Sequence, residues 1–177
     1  MIKEKYSDKF IVPKHMSVKS LNEIKNDTDL SDQRLTELLQ MVDALLAQSV
    51  AIQKNIDPKA KMLISSEQKL MDKFKRGGTA DLVVVYSNLN YSHYDFKTVY
   101  PNNYYLDRAG NIRDHSYLPY YKYDDWNLQI PKSNAALSDV VGLKKQIHSR
   151  IIPIQVTEVI ENNNPTGRIK SIKTFVN

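Results

Sequence analysis

A chain of 177 residues with 25 basic and 20 acidic side chains, a net charge of +5 and no cysteine has room for one domain with a core, or one domain with a protruding arm. The missing thiols exclude disulfides, cysteine-ligated zinc, iron–sulfur clusters and thiol nucleophiles. The densest apolar run is Leu82-Val83-Val84-Val85, far short of the roughly eighteen residues of a membrane span. The opening MIKEKYSDKFIV mixes acids with lysines, so neither a membrane span nor a secretory signal is expected.

Residues 1–30 carry several charges, Pro13 and weak periodicity, which predicts an extended arm or a short helix around 17–25, docked on something rather than independently folded. The strongest pattern follows at 31–56. Ser31 is suited to an N-cap, Asp32 to the first turn, and Leu30 is spaced to staple onto Leu35. Leu35, Leu38, Val42, Leu45, Ser49, Ile52 and Ile56 then alternate at three- and four-residue steps, the a/d rhythm of a coiled-coil seam. At 1.5 Å per residue this helix would be about 37 Å long. A seam of that length predicts a protein partner. Asp57-Pro58 reads as a stop followed by a new cap, and Ala60, Leu63, Ile64, Leu70, Met71 and Phe74 recur at helical spacing up to Gly77-Gly78. A helical hairpin, or one kinked long helix pair, is therefore expected over 31–78.

The positive charge is not one patch: +3 falls on residues 57–78 and +3 on 136–177. Lys69, Lys73, Lys75 and Arg76 are the candidate phosphate contacts. A solvated lysine-rich face is the plainer account of the same residues.

After Gly78 the texture changes to that of a loop-rich β domain over 79–177. Residues 81–86, DLVVVY, read as a buried strand and 91–100 as a half-buried one, with Tyr94, Phe96, Thr98 and Tyr100 on one face and His93, Asp95 and Lys97 on the other. Residues 112–131, broken by Pro119 and Pro131, show no clean period and read as loop. Ten of the eleven tyrosines fall between Tyr86 and Tyr123, with the single tryptophan, Trp126, just beyond. Tyrosine and tryptophan offer large rigid contact area with a polar tip. Tyr94, Phe96 and Tyr100 are assigned to the sheet core, and Tyr117, Tyr120, Tyr121, Tyr123 and Trp126 to a recognition surface for protein, glycan or nucleic acid. Residues 133–149 predict one covering helix, and 151–176 a C-terminal β-hairpin around Asn162-Asn163-Asn164-Pro165-Thr166-Gly167. Edge strands this rich in Ile and Val are exposed to pairing with another chain.

Catalytic signatures are sparse. Five scattered glycines leave no dinucleotide fingerprint or P-loop, and no cofactor is expected. The four histidines form no HExxH; the best metal candidate is His93 with Asp95, joined by Asp114 and His115 from a neighbouring hairpin. Asp124 and Asp125 lack the spacing of a glycosidase pair. The class expected is α+β: a helical hairpin or kinked pair, then a small antiparallel, loop-rich β domain with one covering helix and a C-terminal hairpin. The expected function is that of a non-enzymatic structural protein in a multi-subunit assembly, joined through the helix seam and the β edges as a homo-oligomeric ring or a hetero-assembly. The abundance of Lys, Asn, Ile and Tyr suggests an AT-rich coding sequence, hence a virus or phage particle part such as a head–tail connector, ring, tail or baseplate subunit, located in the virion or otherwise in the cytoplasm. The alternative is a nucleic-acid-binding accessory protein using the basic segment and the tyrosine surface.

Overall fold

The computed structural model describes residues 5–14, 16, 20–27, 31–71, 73–99, 120–139 and 142–174. They form an α+β fold. Three helices, α1 (Leu21–Asp27), α2 (Asp32–Ile56) and α3 (Tyr120–Asp139), accompany six strands, β1 (Phe10–Ile11), β2 (Met62–Met71), β3 (Gly77–Val85), β4 (Tyr91–Val99), β5 (Gln146–Glu161) and β6 (Asn164–Thr174). The strands make one mixed sheet in the order β1-β2-β3-β4-β5-β6. β2, β3 and β4 form an antiparallel meander, whereas β4 and β5 run parallel. Parallel neighbours need a crossover, and α3 lies within it.

The long helix begins where expected. Ser31 sits at its N-cap with extended backbone (φ −61, ψ 154) but makes no side-chain cap bond; its carbonyl accepts from the Leu35 N–H at 3.0 Å. The expected second helical arm does not form. Residues 62–71 are a strand, and Gly77-Gly78 opens β3 rather than closing a helix. Asp57 does behave like a cap, its Oδ1 accepting from the N–H of Lys59 at 2.9 Å and Ala60 at 3.3 Å. The turn it makes runs into β2 because Met62 and Ile64, two apart, are both buried at 1% exposure, and Ile64 stands opposite Val84 in the ladder. Period two with a β-branched partner outweighs a helical spacing that was only approximate.

The covering helix is also displaced. It spans Tyr120–Asp139 instead of 133–149, and β5 begins at Gln146. Pro131 lies inside it on the exposed side, where it removes one intrahelical bond, and the next turn compensates by burying Ala136 and Leu137.

Two cores result, one on each face of the sheet. Met41, Leu45 and Leu46 of α2 pack with Met62, Ile64, Leu82, Val84, Tyr86, Tyr94 and Ile152. Ala136 and Leu137 of α3 pack with Leu70, Ala80, Val83, Tyr91 and Leu143. Leu82 and Val84 thus face one helix and Val83 the other, the alternation of a strand covered on both sides. β4 is accordingly buried on both faces, not half-buried: Tyr94 at 0% and His93 at 1% exposure point opposite ways.

The N-terminal arm is docked on the chain itself. β1 pairs parallel with Met62 and Leu63, the Tyr6 and Phe10 rings meet edge to face at 5.9 Å, and the Tyr6 hydroxyl donates to Asp43 Oδ1 of α2 at 2.8 Å. α1 carries a capping box: the Ser20 N–H donates to Glu23 Oε2 at 2.5 Å and the Glu23 N–H to Ser20 Oγ at 3.3 Å. At the other end β5 and β6 form the expected hairpin, tighter than the sequence suggested. Asn162 and Asn163, at φ 51 and 62, make the whole turn, and strand pairing resumes with Glu161 opposite Asn164. Asparagine tolerates the left-handed region that a two-residue turn requires.

Candidate functional site

The seam residues of α2 are largely consumed by the fold. Leu35 and Leu45 are buried at 4% and 1% exposure, and Ser49 at 0% donates to the Leu45 carbonyl at 3.0 Å. Val42, Ile52 and Ile56 pack half-buried against the same core, and Leu38 is half-buried. From Val42 to Ile56 the stripe that predicted a partner is met by the chain's own sheet. Burial of helix and sheet in one another gives the same heptad-like rhythm as a coiled coil over so few turns. By length and composition alone, Gln33–Ile56 would also suffice to cross a membrane; Leu45 and Leu46 of this segment fill the core.

The aromatic surface divides. Tyr86, Tyr91 and Tyr94 are core residues at 1%, 1% and 0% exposure. Tyr120, Tyr121, Tyr123 and Trp126 belong to the first turns of α3 rather than to a loop; the placement of their side chains, and Tyr117 altogether, lie outside the described residues, as do Tyr100, Asp114 and His115.

The candidate phosphate contacts are brought together, although not on a helix. β2 and β3 pair from Leu63 opposite Val85 to Met71 opposite Gly77, so residues 73–76 lie at the hairpin tip. Lys69 lies on the outgoing strand; Lys73, Lys75 and Arg76 are exposed at the tip, with Lys75 in the left-handed region at φ 61. Between them stands Phe74, 67% exposed, with Lys73 Nζ 5.3 Å and the Arg76 guanidinium carbon 5.2 Å from its ring centroid. Beside the tip, between β2, β3 and α3, is a cavity of about 270 Å³. Arg76, Gly77 and Gly78 line it from the hairpin, and Lys132 and Ser133 from the helix. Sequence reading found the cations but missed Lys132 and Phe74 as their companions, because only the tertiary fold sets residue 132 beside residue 76.

A second group was missed in part. Under α3 the sheet carries a polar cluster, His93 and Asp95 buried and Asp81 and Ser149 partly so, with Asn134 reaching down from the helix. Asn134 and Ser149 exchange hydrogen bonds at 3.0 and 3.1 Å, Lys97 pairs with Asp95 at 2.8 Å, and the Phe96 N–H donates to Asp81 Oδ2 at 2.7 Å. Burial pushes the Asp81 carboxyl up, and its hydrogen bond with Asp95 pushes it further, while the Phe96 N–H opposes. Burial likewise pushes His93 below the usual imidazole range. Among the described residues neither His93 ring nitrogen has a hydrogen bond of normal geometry; Asn134 and the Asp81 charge only soften the effect of burial. Among the described residues no group of three or more His, Cys, Asp or Glu placed to hold an ion occurs; the two further ligands expected beside His93 and Asp95, Asp114 and His115, lie outside those residues. No family model matches this chain, and no curated protein or solved structure matches it.

The cluster makes stability pH-dependent with a definite sign. A histidine whose folded pKa is depressed stabilises fully above the unfolded value near 6.5 and loses that contribution as pH falls through it. Asp81, raised above 3.8, acts oppositely: its protonation favours the folded state, and that contribution is lost as pH rises through its folded value. The melting temperature is therefore expected to fall between about pH 7.5 and about pH 5.5, and His93→Gln to flatten that fall. Equal slopes for the two proteins in calorimetry would refute the assignment to His93.

Proposed function

We infer that this chain is a non-enzymatic interaction protein, a subunit that adds to an assembly of its own copies through the outer edge of β6, of the kind expected in a virus or phage particle. With the α2 seam turned inward, the observation that supports this reading is the sheet edge. β6 is an 11-residue strand that, among the described residues, pairs only with β5, leaving one row of backbone donors and acceptors without a neighbouring strand. Such a row is a template for strand addition. By contrast β1, at the opposite edge, pairs only two residues of β2 and is too short to guide a register.

Association through β6 has two readouts. Mass measured by analytical ultracentrifugation is expected to rise with concentration, and the amides of residues 164–174 to gain protection from hydrogen exchange over the same range. A single monomeric mass at every concentration, with unchanged exchange in β6, would remove the reading.

A second reading, a nucleic-acid-binding accessory protein, is favoured by a separate observation: Lys69, Lys73, Lys75 and Arg76 fall on one hairpin, beside an exposed ring. Clustered cations neutralise phosphates, and exposed rings stack on bases.

A further inference from the structure

We propose that the β2–β3 tip and the cavity beside it form one binding site for single-stranded nucleic acid, a phosphate entering between Arg76 and Lys132 while an adjacent base stacks on Phe74. This inference rests on the nucleic-acid reading and specifies its ligand and its residues.

Three observations converge on it. Among the described residues the cavity is lined by two cations and a hydroxyl, Arg76, Lys132 and Ser133, and by no carboxylate. At about 270 Å³ it falls just below the roughly 300–1,000 Å³ of pockets that enclose a whole small molecule, so it suits one phosphate with its sugar rather than a buried cofactor. Gly78 leaves it open, since a Cβ there would meet nothing within 4 Å, and a ligand can approach the backbone closely.

The ring supplies the second half. Phe74 is the most exposed of the large hydrophobic side chains described, at 67%, and Arg76 borders both the ring and the cavity. One residue thus links the stacking surface to the anion pocket, the combination by which single strands are held without sequence preference. A lipid surface is the competing occupant of a basic tip with an exposed aromatic. The two cations standing 5.2 and 5.3 Å from the ring centroid argue against it, because inserting the ring into hydrocarbon would carry charge with it. Duplex nucleic acid fits less well, since its bases are already stacked on one another.

The site is tested on the full chain with a fluorescein-labelled oligothymidylate, by anisotropy over a range of salt. Wild-type protein is expected to bind it at low salt, more tightly than the corresponding duplex. Phe74→Ala should weaken binding about 5- to 150-fold with little change in salt dependence. Arg76→Ala combined with Lys132→Ala should lower the slope of log K against log salt by about 0.7, the contribution of the one phosphate left unneutralised on a single strand. All three side chains are exposed, so each variant should keep the wild-type thermal transition. Strong binding that neither variant alters would overturn this site and leave the nucleic-acid reading standing. Absence of binding at low salt would overturn both. Phe74-dependent binding to vesicles containing phosphatidylserine, without binding to the oligonucleotide, would assign the tip to membranes and overturn the proposal.

Discussion

Leu45→Ala is expected to cost about 2–5 kcal/mol of folding stability, independent of protein concentration. Leu45 is 1% exposed and sits between Met41 and Leu46 of its own helix and the Met62, Ile64, Val84 and Tyr94 side chains of the sheet. Truncation removes buried methyl groups and leaves a cavity in a close-packed interior, which relaxes only in part. Leu38, half-buried in the same stripe, should cost clearly less when cut to alanine. The midpoint of urea unfolding at two protein concentrations separates the alternatives. A seam holding two molecules together would make the loss deepen on dilution, whereas a core residue loses the same amount at both. A concentration-dependent loss at Leu45 would return the stripe to the role of an interface.

The second large effect belongs to a residue that the heptad pattern passes over. Gln53, 3% exposed, donates from Nε2 to the Asp57 carbonyl and to Ser87 Oγ, each at 2.8 Å, and accepts from the Ser87 N–H at 3.1 Å. It closes the end of α2 and ties it to the turn joining β3 to β4. That turn is itself fastened forward, the Lys144 N–H donating to the Leu89 carbonyl at 2.9 Å. Gln53→Ala removes all three bonds, an expected loss of about 2–3 kcal/mol. Amide exchange over residues 86–90 should quicken together with the loss of stability. If stability fell while exchange in that turn stayed as in the wild type, the bridge to Ser87 would not be the cause.

Both effects bear on how much could be read before folding. The boundaries of α2 were legible to within a residue, because capping residues and helical periodicity agree over 25 residues. So were the strand at DLVVVY and the C-terminal hairpin, where β-branched residues alternate or cluster between turn residues. Residues 62–71 were misread for a definite reason. Leu63, Ile64, Leu70 and Met71 satisfy a helical wheel about as well as a strand, and only the Val-rich β3 alongside decides the matter. The segment 120–132 was misread for the converse reason: aromatic residues and a proline lower helix propensity, but the crossover from β4 to a parallel β5 must be covered, and a helix supplies its own backbone hydrogen bonds there. Of the candidate site, the cations were legible as residues and illegible as a place.

The amino acids in their order determined what is local on this chain: where the long helix starts and stops, which segments prefer extended backbone, that Asn162 and Asn163 turn, and that no thiol chemistry is available. Tertiary structure decided which surface each side chain meets. It turned the Val42–Ile56 stripe inward onto the sheet, buried His93 between strand and helix, and set Lys132 beside Arg76. Periodicity records only that a face is apolar, whereas the identity of the surface covering it depends on contacts between residues far apart in sequence, which a linear pattern does not encode.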